Sequence, residues 1–169
     1  VKAVAKAHEL CQRYSLDTIS TCVVIGFAME CFENGLLTTK DTGGLELRFG
    51  NVEAMLKLVE MIGNRQGIGD LLAEGSMRAA KVIGNGAMDF SMNVKGQEFS
   101  LNDPRLNQGL GLGHAIVAHG ADHMTSPHDT TVEKEGLPLD ALKALGILEP
   151  MDASVINPRK AARWGYLYR

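Results

Sequence analysis

Apolar residues recur at three- and four-residue steps through the first half of the chain, the period of helices buried on one side. Val1, Val4, His8, Cys11 and Tyr14 or Ser15 share one such stripe, while Lys2, Lys6, Glu9 and Arg13 point elsewhere. A first helix is therefore expected from the start to about Leu16. Asp17 precedes Thr18-Ile19-Ser20, where its carboxylate reaches the amides two and three residues on, as a helix N-cap does. The second helix, Thr18 to Asn34, is apolar over most of its circumference through Ile19, Cys22, Val23, Ile25, Phe27 and Met29, which predicts a central position. Gly35 is the expected stop, because it takes the left-handed conformation freely.

Lys40-Asp41-Thr42-Gly43-Gly44 reads as a turn, and Leu45-Glu46-Leu47 as a short alternating stretch. Asn51 and Glu53 open a third helix whose stripe is Met55, Leu58, Val59 and Ile62. Gly67 and Gly69 break it, and a fourth helix is expected from Asp70 to about Ile83, with Leu71, Leu72, Met77, Ala80 and Ile83 inward. The pattern then changes. Phe90 to Val94 and Phe99 to Arg105 read as extended chain, the second ending at Asp103-Pro104-Arg105 because the residue before proline leaves the helical region. Gly109, Gly111 and Gly113 follow at alternate positions, and two short helices are expected at Leu139–Leu148 and Pro158–Tyr168. The fold class is mainly α, bundle-like with short extended segments, divided near residue 92 into parts 1–92 and 93–169.

Composition narrows the class. Apolar residues make up 45% of the 169 and charged ones 22%, the balance of an ordinary globular domain, so a disordered, collagenous or coiled-coil chain is excluded. The net charge of −3 gives no footprint for nucleic acid or an anionic lipid surface. The longest apolar run, Cys22 to Met29, is too short to span a bilayer, so no membrane partner is expected. Cys11, Cys22 and Cys31 are odd in number, without a C-x-x-C pair, and each sits on an apolar stretch. They read as buried reduced thiols in a cytoplasmic protein. The chain begins with Val inside a helical pattern, and the expectation is a piece of something longer.

Candidate chemistry is sparse. His114, His119, His123 and His128 lie close together, and His119 and His123 have the i, i+4 spacing that puts two imidazoles on one helix face. A Zn or Fe site, serving a helical metal-dependent hydrolase, is one reading. Against it, Gly120 interrupts the pair and the Glu of H-E-x-x-H is missing, so ordinary loop histidines are the simpler account. Gly109-Leu110-Gly111-Leu112-Gly113 lacks a preceding strand and the G-x-G-x-x-G spacing, which weakens a nucleotide reading. Its glycines admit close approach by a backbone or a flat ligand. Ser20, Ser76, Ser91, Ser100 and Ser126 show no nucleophile turn. Asp17, at the head of the most apolar helix, must be satisfied by amides or by a ligand. A helical interaction module without chemistry is a further reading.

Several blocks together change that picture. Leu16-Asp17-Thr18-Ile19-Ser20-Thr21 is followed by Phe27-Ala28-Met29-Glu30-Cys31-Phe32-Glu33-Asn34-Gly35-Leu36 and Phe49-Gly50-Asn51-Val52-Glu53-Ala54-Met55. Gly67-Ile68-Gly69-Asp70-Leu71-Leu72-Ala73-Glu74-Gly75-Ser76, Val94-Lys95-Gly96-Gln97-Glu98, Asp103-Pro104-Arg105, Gly111-Leu112-Gly113 and Gly120-Ala121-Asp122-His123 continue the series. In these blocks and their order the chain resembles the tungsten-containing aldehyde ferredoxin oxidoreductases, from Leu10 to His123.

That resemblance implies an oxidoreductase that converts aldehydes to carboxylic acids at a tungsten or molybdenum centre held by two molybdopterin dithiolenes. Electrons would pass through a [4Fe–4S] cluster to ferredoxin. It also implies that this chain supplies parts of the two helical domains, its partners being the remaining β domain and C-terminal helical part of a longer enzyme. The isolated piece would then carry no cofactor and no activity. Asp17 falls on the second Asp of the family's D-x-x-G-x-D pterin-binding motif, with Leu16 beside it. Gln12 stands at the first Asp and Ser15 at the Gly, so the first contact is uncharged. His123 matches the active-site histidine near the metal, a group for proton transfer. The family's E-x-x-H iron site falls on Lys6 and Glu9, and Cys11, Cys22 and Cys31 do not match cluster ligands. No metal ligand is therefore assigned. An uncovered apolar surface is expected around Gly109–Gly113 and the end of the second helix.

Overall fold

A computed structural model of the chain describes residues 1–100, 102–124, 133–146, 148–152 and 154–155. They form two compact units, Val1–Glu98 and Phe99–Arg169. The fold is mainly helical, with one two-stranded hairpin among the described residues. The first unit runs α1 (Lys2–Tyr14), α2 (Thr18–Glu33), α3 (Val52–Gly63), α4 (Ile68–Leu72), α5 (Ser76–Ile83), a 3₁₀ turn (Ala87–Phe90), β1 (Asn93–Val94) and β2 (Gln97–Glu98). The second contains α6 (Gln108–Ile116), α7 (Leu137–Leu142) and a 3₁₀ turn at Lys143–Leu145. The helix expected at Pro158–Tyr168 lies outside the described residues.

α2 is the central element, as its all-round apolar sequence predicts. Val24, Ile25, Phe27, Ala28, Met29 and Cys31 are buried in a core shared with Leu58, Val59 and Ile62 of α3 and with Ala79 and Ala80 of α5. α1 lies against α3, and there the expected stripe holds at Cys11 and Tyr14 but not at Val4 and His8. Val4 and His8 face outward, and Leu10 and Cys11 are the buried residues of the helix, with Ala3, Ala7 and Tyr14 half-buried. The two helices approach closely where α1 and α3 end. A Cβ on Gly63 would collide with the Tyr14 ring, and the Tyr14 hydroxyl accepts from Asn64 Nδ2 at 3.2 Å.

The fourth helix divides in two. Gly75 takes φ +88 between α4 and α5, and the Ser76 amide that opens α5 donates to Glu98 Oε1 at 2.7 Å. That acceptor comes from β2, across 22 positions. Lys95 and Gly96, both at positive φ, make the two-residue turn of the hairpin, with Asn93 opposite Glu98 and Val94 opposite Gln97. The division expected near residue 92 and the one at Glu98 differ by this hairpin, whose hydrogen bonds tie it to the first unit. Leu45 to Leu47 alternate in burial without pairing as a strand.

In the second unit, Gly109, Gly111 and Gly113 lie in α6, a helix the sequence reading did not assign. A Cβ on Gly111 would press on Pro104 at 3.0 Å, so the glycine lets α6 rest on the Asp103–Arg105 turn. The helix expected over Leu139–Leu148 is shorter and begins earlier, at Leu137, with Leu139 buried beside Leu142 and Met151. Around the expected apolar surface, Gly109, Leu110 and Gly113 are buried, whereas Leu106 and Ile116 on either side of them are exposed. Among the described residues no single helix is long and apolar enough to cross a membrane.

Candidate functional site

The elbow between α1 and α2 is the first candidate, and local rules build it. α1 ends at Ser15 in the left-handed conformation (φ 55°), where the Leu16 amide donates back to Cys11 O at 2.8 Å. Asp17 is extended (φ −66°, ψ 122°), and α2 leaves the elbow at 115° to α1. Asp17 Oδ2 accepts from the Ser20 amide at 2.7 Å. Partial desolvation opposes its charge, but the hydrogen bonds from the Ser20 amide and hydroxyl and the Ile19 amide outweigh it, holding the carboxyl below its usual range. Leu16 packs into the core, whereas Gln12 and Asp17 are exposed. The elbow thus carries an exposed carboxylate at the head of a sixteen-residue helix and, in the last turn of α1, an exposed carboxamide.

The histidines do not gather into a cluster among the described residues. His114 is buried in α6, its ring edge-on to Phe99 with centroids 5.3 Å apart. His119 and His123 follow the end of α6 in a run of turns, so the helical i, i+4 geometry does not arise. His119 Nε2 lies 3.1 Å from Asp122 Oδ2, and His123 is half-buried. His128 lies outside the described residues. No group of three or more His, Cys, Asp or Glu side chains among the described residues is arranged to hold a metal ion. Asp122 itself was passed over in the sequence. Its signal was local, an acidic residue beside one histidine and three positions after another.

The thiols also separate. Cys11 and Cys31 are buried as expected, and burial pushes the Cys31 thiol up to about 11 and raises Cys11. Cys22 is exposed, contrary to expectation, because α2 is apolar all round and its outward face includes Cys22 and Ile19.

A family model described as aldehyde ferredoxin oxidoreductase, domains 2 and 3, matches residues 1–165. The chain belongs to the aldehyde ferredoxin oxidoreductase family. A tungsten-containing aldehyde ferredoxin oxidoreductase of Thermococcus kodakarensis is 36% identical over 148 residues, covering 78% of this chain and 24% of the relative. An aliphatic sulfonate oxidoreductase, WOR-like subunit, of Pyrococcus furiosus is 33% identical over 123 residues, covering 69% and 20%. Among solved structures, a chain of the active-site complex BamBC of benzoyl coenzyme A reductase with 1,5-dienoyl-CoA is similar at TM-score 0.50 and 31% identity, covering 78% of this chain and 20% of that one. The chain thus spans about a quarter of the length of the tungsten-containing relative from Thermococcus.

Two groups implied by aldehyde ferredoxin oxidoreductases can be tested against these residues. For a pterin, the donor set fits. The aminopyrimidine edge of a pterin carries N–H donors beside acceptors, and the exposed Asp17 carboxylate and Gln12 carboxamide are acceptor and donor groups of matching chemistry. For a [4Fe–4S] cluster the residues do not fit. Four thiolates must converge on one cage, whereas Cys11 and Cys31 are buried on different helices and Cys22 is exposed.

Proposed function

We propose that this chain contributes pterin-binding and active-site wall residues to an oxidoreductase that converts aldehydes to carboxylic acids. Its redox centre is a tungsten, or molybdenum, bis-molybdopterin, and a [4Fe–4S] cluster held by other parts of the enzyme would carry electrons to ferredoxin. The family match over residues 1–165 carries this reading. When bound, the metal centre supplies the two-electron redox chemistry. Asp17 accepts from the pterin's aminopyrimidine edge while its Ser20 contact keeps the carboxylate oriented. Gln12, one α1 turn before Ser15, donates or accepts from the same edge with no charge of its own. His123 holds and moves a proton, as a positioned imidazole does in general acid–base catalysis. Its partners are the aldehyde substrate, ferredoxin and the remaining β and helical parts of the enzyme, in the cytoplasm.

The test is a pair of substitutions in the complete enzyme, with metal and pterin content measured beside turnover. Asp17→Ala is expected to lower pterin retention first. His123→Ala is expected to lower turnover by about 10²–10⁴-fold, the usual worth of general acid–base help, while metal and pterin stay near wild type. Full activity in His123→Ala, or a site emptied of metal, would remove the catalytic assignment. Purified enzyme without tungsten, molybdenum or pterin would remove the whole reading.

A further inference from the structure

Beyond α6 the chain makes a run of tight turns, and several contacts pin that run around His123. The Val117 amide returns to Gly113 O at 2.9 Å and ends the helix. Gly120 is buried at φ +101, a conformation glycine adopts without a Cβ penalty, and its carbonyl accepts from the Asp122 amide at 2.9 Å. Ala121 is only 2% exposed, so its methyl is fixed by packing. The Asp122 carboxylate then uses both oxygens. Oδ1 accepts from the Met124 amide at 2.8 Å, and Oδ2 lies 3.1 Å from His119 Nε2. The first contact closes a loop over His123, from residue 122 to residue 124. The second ties that loop to the preceding turn.

We propose that Asp122 is a positioning residue for His123, acting by clamping the backbone on either side of it. The inference rests on the reading of His123 as the proton-carrying imidazole. A side chain with two torsions goes where its backbone sends it, and a misplacement of about 1 Å can cost about 10²-fold in rate. The Met124 amide is the larger influence on Asp122, with the His119 ring secondary. These contacts, against a desolvation cost, hold its carboxyl below the usual range. The acceptor oxygen matters most for the clamp, so a neutral side chain with the same oxygen serves it.

Asp122→Asn keeps that oxygen and Asp122→Ala removes it. Hydrogen exchange at the Met124 amide is measured in the full 169-residue chain, and kcat and KM in the complete enzyme proposed above. Asp122→Ala is expected to speed exchange at Met124 by about 2- to 12-fold, the loss of one net hydrogen bond. It should lower kcat by about tenfold or more, towards the cost of such a misplacement, with KM and metal content near wild type. Asp122→Asn should recover both exchange and kcat. If Asn exchanges as fast as Ala, or if Ala leaves Met124 unchanged, the clamp is not made by this oxygen and the inference fails. It fails equally if His123→Ala slows turnover and Asp122→Ala does not. If exchange behaves as expected but neither His123→Ala nor Asp122→Ala touches turnover, the clamp stands and the catalytic assignment of His123 falls.

Discussion

Asp17 closes the first turn of α2 with one carboxylate, and the cost of losing it follows from that contact alone. Asp17→Ala leaves the Ser20 amide to water and is expected to cost about 1 kcal/mol, within the 0.5–2 range of N-cap losses. The pH dependence has a fixed sign. Folding depresses the Asp17 carboxyl, so its contribution is fully present above the unfolded carboxylate value and is lost as pH falls through the folded one. Urea midpoints of wild type and Asp17→Ala should therefore begin to converge as pH falls below about 4, the usual carboxylate value, and go on converging as it falls further; a constant difference down to about pH 2 would show that the carboxylate's charge is irrelevant to the cap. The cysteines divide by burial. A thiol-specific reagent at neutral pH should modify Cys22 and reach Cys11 and Cys31 only on unfolding, because the thiolate is the reactive form and Cys31 sits at about 11. Equal labelling of all three in the folded chain would contradict that burial. Asp17 could be read from the sequence because a cap involves only the next three residues. Cys22 could not, since a helix apolar on every side does not announce which face remains outside.

At the scale of elements, glycines set how closely the helices approach. Gly69 lies against the Met61 and Ile62 backbone at the end of α3, where a Cβ would fall far inside contact distance of Met61 C and O. Backbone cannot swing aside as a side chain does, so Gly69→Ala is expected to cost about 1–3 kcal/mol, the range for overpacking a well-filled site. Gly26, inside α2, offers the contrast. Nothing lies within 4 Å of a Cβ built there, so Gly26→Ala should be stabilising by about 0.4–1 kcal/mol through a less free unfolded chain. Urea midpoints of the two variants should move in opposite directions, and a loss at both would show that the site at Gly26 does not accommodate a Cβ. Helix positions were readable because the 3.6 period is local. The break at Gly75 was not, because its acceptor, Glu98, arrives from a strand 22 residues later. The outward turn of Val4 and His8 was hidden for a related reason. The partner of α1 is α3, which follows only after α2, so the inward face of α1 is set by an element its own sequence does not contain.

At the scale of the whole molecule, the hairpin decides where the first unit ends. Glu98 is 7% exposed and its carboxylate satisfies the Ser76 amide, while the Ser91 hydroxyl donates to Ser76 Oγ at 2.9 Å and accepts from Asn93 Nδ2 at 2.9 Å. These contacts join the start of α5 to the strand pair, so a cut at residue 92 leaves a buried amide without its acceptor. Such an amide costs about 1–3 kcal/mol, more when the lost partner is charged. The core that α2 organises, from Leu10 to Ala87, lies wholly within residues 1–98. A chain of residues 1–98 is therefore expected to unfold cooperatively by circular dichroism. A chain of residues 1–92 should melt lower by about 6–12 °C, since about 1.5 kcal/mol shifts a domain of this size by 4–8 °C for each kcal/mol. Glu98→Gln in residues 1–98 separates charge from connectivity. It keeps an oxygen for Ser76 and should lie between the two truncations. Equal melting of 1–92 and 1–98 would mean that the hairpin adds nothing to the first unit, and that the residue-92 division suggested by the change of sequence pattern is the better one.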